Sequence, residues 1–186
     1  MVTPKRIWYP NAVYHITNRG NRKEIIFRED MDYRVYLVIL KNTVDYYEEY
    51  NYEIISYCLM SNHVHLLIKT NNREPGYFMR RVNSMYARYF NDKYEYVGHL
   101  FQERYFSNII TNDIELLEVS SYIDLNPVKA QIVKRAEDYK WSSYSSIMIK
   151  GECKISNISL VLDCFRLNKI QYKKYVEEKN ASGVNP

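Results

Sequence analysis

Two apolar runs, Tyr57-Cys58-Leu59-Met60 and Val64-His65-Leu66-Leu67-Ile68, lie on either side of one polar step around Ser61-Asn62. That pattern commits the middle of the chain to an antiparallel hairpin with a tight turn. Side chains alternate faces along a strand, so His63 and His65 project together while Val64 and Leu66 point the other way. Two imidazoles side by side at a hairpin mouth form half of a metal site, because neutral imidazole is a common ligand. Two packed histidines that satisfy local hydrogen bonds are the competing reading. The rest of the chain has to decide between them.

The hairpin predicts its neighbours. Residues 11–18 carry β-branched and aromatic side chains and read as a first strand. It ends in Arg19-Gly20-Asn21-Arg22-Lys23, a turn with three cations that reads as a solvated loop or as a phosphate-contacting one. A helix from Glu29-Asp30 to about residue 50 places Tyr33, Tyr36, Leu37, Leu40, Val44 and Tyr47 at helical spacing. The hairpin strands span 52–60 and 63–69. A second helix to about residue 91 turns Phe78, Val82, Met85, Tyr86 and Tyr89 inward and Arg80, Arg81 and Arg88 outward. Residues 100–107 alternate as a fourth strand. The order β-α-β-β-α-β predicts an α+β fold with a ferredoxin-like core: an antiparallel sheet with two helices on one face.

A third helix follows, with Asn112 as N-cap and Glu115 completing a capping box. Its spacing puts Glu115, Glu118, Tyr122 and Asn126 on one face, before Asn126-Pro127 bends or ends it. Helical pieces are expected over 128–136, 141–149, 159–166 and 169–179. The expected domain division is a catalytic unit over 1–136, a helical extension packed on it over 137–179, and a disordered tail over 180–186.

Composition narrows the function classes. The three cysteines, Cys58, Cys153 and Cys164, are an odd number with no CxxC spacing, so neither a disulfide framework nor a thiolate zinc site is indicated. A net charge of +4 permits a polyanionic partner, and 20 tyrosines offer stacking faces for bases, although a skewed composition produces the same excess. The first residues contain no apolar leader segment and no stretch approaches membrane-spanning length, so a cytoplasmic, nucleoid-associated protein is expected.

The chemistry of the histidine pair can be sorted by what else is present. Histidine-triad nucleotide hydrolases need a third histidine where this chain has Leu67. Zinc hydrolases that begin with HxH need further His and Asp ligands, and only His15 and His99 remain. Of these, His15 is the better outside candidate, since its strand could neighbour the histidine strand.

At this point the sequence resembles a known family. Tyr57 to Leu67, Leu100-Phe101-Gln102-Glu103-Arg104-Tyr105, and Ser121-Tyr122-Ile123-Asp124-Leu125-Asn126-Pro127-Val128-Lys129-Ala130 are similar to the IS200-type Y1 transposases. Within the HUH endonucleases, they more specifically resemble the branch of REP-associated tyrosine transposases. Tyr14-His15-Ile16-Thr17-Asn18-Arg19-Gly20-Asn21 and Trp141-Ser142-Ser143-Tyr144 fit the same branch. The resemblance implies a single-stranded DNA nickase and strand transferase with a divalent metal, Mg²⁺ or Mn²⁺. It implies His63, His65 and Asn126 as metal ligands and Tyr122 as nucleophile. IS200/IS605 enzymes proper carry glutamine where this chain has Asn126. Expected DNA contacts are Arg19, Asn21, Arg22, Arg80, Arg81, Arg88, Gln102 and Arg104, and the expected partner is single-stranded or hairpin DNA. Glu118, one turn before Tyr122, reads as an aid to proton transfer or metal binding, or as a solvated helix position. A catalytically silent hairpin DNA or RNA binder and a small-molecule phosphohydrolase are the alternatives, and the state is a monomer or a homodimer.

Overall fold

A computed structural model of the chain describes residues 7–151 and 153–182. Its elements run β1 (Ala12–Arg19), α1 (Asp30–Tyr46), β2 (Glu53–Met60), β3 (His63–Thr70), α2 (Pro75–Tyr94), β4 (Phe106–Ile110) and α3 (Asp113–Lys129). Three helices follow: α4 (Ser143–Lys150), α5 (Ser159–Asp163) and α6 (Lys169–Ser182). The sheet order is β2-β3-β1-β4 with every neighbouring pair antiparallel, which is the ferredoxin-like arrangement expected from the element order.

The two faces of the sheet have different tasks, and alternation along β1 shows why. Ala12, Tyr14, Ile16 and Asn18 are buried, whereas Val13, His15 and Thr17 are half-buried and Arg19 is exposed. The buried set meets α1 and α2, as the 2.9 Å hydrogen bond from Asn18 Nδ2 to Asn83 Oδ1 on α2 marks. Tyr36, Leu40, Phe78, Val82 and Tyr86 complete that core. The opposite face carries His15, Thr17 and Arg19 and, paired directly across in β3, Leu67, His65 and His63. Helix α3 lies on this second face, where Ser56 of β2 donates to Asp124 at 3.4 Å.

Sheet edges must be covered or they pair with other chains. The segment after α3 covers β2. Leu59 N donates to the Trp141 carbonyl at 3.0 Å, Ser143 Oγ accepts from Tyr57 N at 2.9 Å, and Asn157 N donates to the Ile54 carbonyl at 2.8 Å. The β4 edge has no such cover among the described residues.

Four boundaries differ from the sequence expectations. Residues 100–105 are not strand: Asn21 N donates to Leu100 O and Gln102 N to Arg19 O, so this segment clasps the end of β1 and the strand begins only at Phe106. Residues 128–136 are not a helix, because α3 runs through Pro127, ends at Lys129, and Gln131 adopts a positive φ of 57°. The first helix stops at Tyr46 and a separate 3-10 turn covers Glu48–Tyr50. Asn180, Ala181 and Ser182 belong to α6 rather than to a disordered tail; residues 183–186 lie outside the described residues. Met85, expected inward on α2, is on its surface. The Asn112 side chain does cap α3 by accepting from Glu115 N, but the Glu115 carboxylate reaches Thr111 N and Oγ1 instead of closing the box.

Candidate active site

The open face of the sheet, roofed by the first half of α3, encloses a cavity of about 760 Å³. Its floor is His15, Thr17 and Arg19 from β1 and His63 and His65 from β3. Phe106 and Asn108 of β4 form one flank, Gln102, Glu103 and Arg104 form the rim, and Glu115, Glu118, Val119 and Tyr122 hang from α3. Strand alternation and register place these floor residues together: Thr17 pairs with His65, Arg19 with His63, and His15 with Asn108.

The imidazoles form one cluster. His15 and His65 stack with ring centroids 5.3 Å apart, and His63 meets His65 edge-on at 5.0 Å. The Asn62 amide oxygen accepts from His63 Nδ1 at 2.7 Å, so that ring carries its lone pair on Nε2. On His65, Nδ1 faces His15 Nε2 at 3.0 Å and Thr17 Oγ1 at 3.3 Å, while Nε2 is buried with no hydrogen-bond partner. Ligating histidines usually engage one ring nitrogen with the protein and present the other. Burial pushes His63 down to about 4, helped by the Arg19 charge, and burial pushes His15 to about 4. His65 falls well below the usual imidazole range, from burial first and then from His15, His63 and Arg19. All three rings are therefore neutral at physiological pH, the form that coordinates cations. The orphaned His65 Nε2 and the tautomer of His63 fit a divalent ion.

Tyr122 meets this cluster from above. Its ring lies edge-on to His65 at 5.5 Å and to His15 at 6.0 Å, and the Lys129 ammonium sits 5.1 Å from its centroid. Helix α3 is held at this height by a buried polar network. Tyr172 of α6 donates to Asp124 Oδ2 at 2.5 Å and engages Ser120 Oγ at 2.7 Å, so α6 grips α3 on the side away from the cavity.

The structure thus brings together His63, His65 and Tyr122, with Arg19, Gln102 and Arg104 around them. It does not bring Asn126 to the cavity: the side chain is half-buried and its Nδ2 donates to the Tyr122 carbonyl at 2.8 Å. Among the described residues no three His, Cys, Asp or Glu side chains are arranged to hold an ion by themselves. Asn21 and Arg22 sit on the neighbouring 3-10 turn outside the cavity. Arg80, Arg81 and Arg88 are on α2, across the sheet from it, and line a separate groove. Sequence reasoning misses Thr17, Phe106 and Asn108; their only signal is strand alternation, which puts Phe106 and Asn108 in line with Gln102 and Arg104 and Thr17 in line with His15.

The geometry can be set beside known proteins. A protein of Haemophilus influenzae described as a REP-associated tyrosine transposase is 29% identical over 109 residues, an overlap covering 52% of this chain and 61% of the relative. The match thus spans less than two thirds of that relative's length. The solved structure of a REP-associated tyrosine transposase bound to a REP hairpin shares the fold, with a TM-score of 0.65 at 17% identity. That likeness covers 85% of this chain and 93% of the other. A family model for IS200-like transposases matches residues 9–126, which takes in β1, the histidine pair and α3 through Asn126. The chain belongs to the IS200-like transposase family.

Proposed function

We propose that this chain is a metal-dependent endonuclease and strand transferase acting on single-stranded DNA beside palindromic hairpins. The observation that carries this reading is the approach of Tyr122 to His65, ring to ring at 5.5 Å, above a cavity lined by Arg19 and Arg104. The hairpin carried by the REP-associated structural neighbour supports the choice of substrate.

His63 and His65 would hold the metal. Asn126 is the proposed third ligand and would have to give up its bond to the Tyr122 carbonyl. When bound, a divalent ion there supplies positive charge against the scissile phosphate. Arg19 and Arg104 position the strand by its neighbouring phosphates. The Tyr122 hydroxyl releases its proton to solvent as its oxygen attacks phosphorus, and the bond to the 3′ oxygen breaks. That oxygen takes up a proton and leaves as a free 3′-OH, and the 5′ end stays esterified to Tyr122. The phosphoester is conserved, so an incoming 3′-OH can reverse the step and join strands.

Incubation with a hairpin-bearing oligonucleotide in Mg²⁺ or Mn²⁺ is expected to give a covalent adduct that survives denaturing electrophoresis and is prevented by chelation. Absence of any adduct across both metals and a panel of palindromes would overturn the reading. The bond that turns Asn126 away from the cavity favours the alternative of a silent hairpin binder, which predicts salt-sensitive binding without adduct.

The flank of the cavity makes a separate prediction. Phe106 is 61% exposed at the mouth, between Arg104 and Asn108, and we assign it as a stacking surface for one unpaired base. Phe106→Ala is expected to weaken single-strand binding by about 1–3 kcal/mol. Duplex binding, measured by fluorescence anisotropy, should stay the same; equal losses on both would remove the assignment.

A further inference from the structure

On the other side of the sheet, α1 and α2 enclose a second groove of about 530 Å³, lined by Tyr47, Arg80, Arg81, Ser84, Met85 and Arg88. None of its three arginines has an ion-pair partner among the described residues. The carboxylate next to Tyr46 in sequence, Asp45, is engaged by Lys41 at 2.7 Å. Arg81 lies flat on the Tyr46 ring, 3.6 Å from its centroid, and its Nε is buried with no hydrogen-bond partner. Unpaired guanidinium groups concentrated in one groove are out of balance unless an anion completes them.

The aromatic content says which anion. Tyr46, 62% exposed, meets Tyr47 at 4.9 Å, and Tyr47 stacks on Tyr50 at 5.1 Å. Tyr50 continues to Tyr77 at 6.1 Å, and Arg73 lies within 5.2 Å of the Tyr50 ring and 4.4 Å of the Tyr77 ring. Tyr47 and Tyr50 stack on each other, and Arg81 and Arg73 cover one face of Tyr46 and of Tyr77. The surface open to an unpaired base is therefore the exposed Tyr46 ring, with arginines beside it that can take the phosphates on either side. A duplex would satisfy the arginines but keep its base faces hidden from the tyrosines.

We propose that this groove is a second binding track for single-stranded nucleic acid, separate from the cavity around His63, His65 and Tyr122. It stands independently of the strand-transfer chemistry. A strand that occupies both sites would wrap from one face of the sheet to the other; its role in holding DNA that flanks a cleaved segment, unlike the binding itself, rests on the proposed function.

The test is fluorescence anisotropy of the full chain with labelled oligo(dT) of roughly 30 nucleotides, against a duplex of similar length, over a salt series. The surface double variant Arg80→Ser, Arg88→Ser is expected to lower oligo(dT) affinity about tenfold and to reduce the salt slope by about 0.7 for each phosphate no longer neutralised. Tyr46→Ser, which keeps the charge, is expected to lower oligo(dT) affinity and leave duplex affinity alone. Photocrosslinking with 4-thiothymidine should label peptides containing Tyr46, Tyr47 or Tyr77. Unchanged affinity with crosslinks confined to the cavity peptides would overturn the proposal, and equal losses on duplex would overturn its single-strand character. The covalent-adduct assay reads the other face, so failure of one reading does not imply failure of the other.

Discussion

A Tyr122→Phe chain is expected to bind hairpin DNA as the unaltered chain does and to form no covalent adduct, with cleavage reduced by at least about 10³-fold. The substitution deletes one oxygen and keeps the ring, so the edge contacts to His65 and His15 and the approach of Lys129 persist. Folding should be unaffected, because the side chain sits at the cavity rather than in the core. Loss of adduct with retained binding therefore isolates the hydroxyl. If the variant still forms adduct, another of the 20 tyrosines is the nucleophile and the assignment of α3 as the catalytic helix fails. If water were the attacking group, the variant would cleave at the wild-type rate and no chain would ever carry DNA.

Asp124→Ala is expected to destabilise the fold by about 3 kcal/mol, read as a midpoint lowered by roughly 6–12 °C on thermal melting. Asp124 is fully buried, and removing it leaves the Tyr172 hydroxyl, also fully buried, without its acceptor and the Ser56 hydroxyl without one of its partners. The cost should be accompanied by lost strand transfer, since the same bonds set the height of α3 above the histidines. Burial pushes the Asp124 carboxyl up to about 7, against hydrogen bonds from Tyr172 and Ser56 that pull it down. The native state thus holds this proton to higher pH than the unfolded chain, whose ordinary carboxyl releases it near pH ~4. Between those values the native state binds more protons, so this group's contribution to stability declines as pH rises from about 4 to 7. His15 and His63, depressed to about 4, act oppositely and favour the native state as pH rises through their window. Comparing wild type with Asp124→Asn cancels the histidines. The variant should gain stability relative to wild type as pH rises from about 4 to 7, and parallel curves for the two proteins would contradict a buried protonated carboxyl.

Much of the fold is legible in the sequence because its signals are local. Alternation around Ser61-Asn62 determines the hairpin, and with it the shared face of His63 and His65. Helical spacing locates α1 and α2, and Asn112 marks the start of α3 correctly, since a cap is a contact between residues three apart. The errors fall where long-range bonds override local pattern. Leu100 to Tyr105 alternates like a strand, yet its backbone is spent on the end of β1. The run after Pro127 has helix-forming residues, but the chain turns at Gln131.

The candidate site divides along the same line. Residue type and spacing alone mark the histidine pair and the polar stripe Glu115, Glu118, Tyr122 and Asn126. Only the tertiary structure decided that the first three of that stripe roof the cavity while Asn126 is turned back on the helix, because α3 descends onto β2 as its second half becomes buried around Asp124. It also separated the arginines, placing Arg19 and Arg104 with the histidines and Arg80, Arg81 and Arg88 on the far side of the sheet. Spacing within one element determines which side chains share a face. The pairing of β1 with both β3 and β4, and the grip of α6 on α3, determine which faces meet.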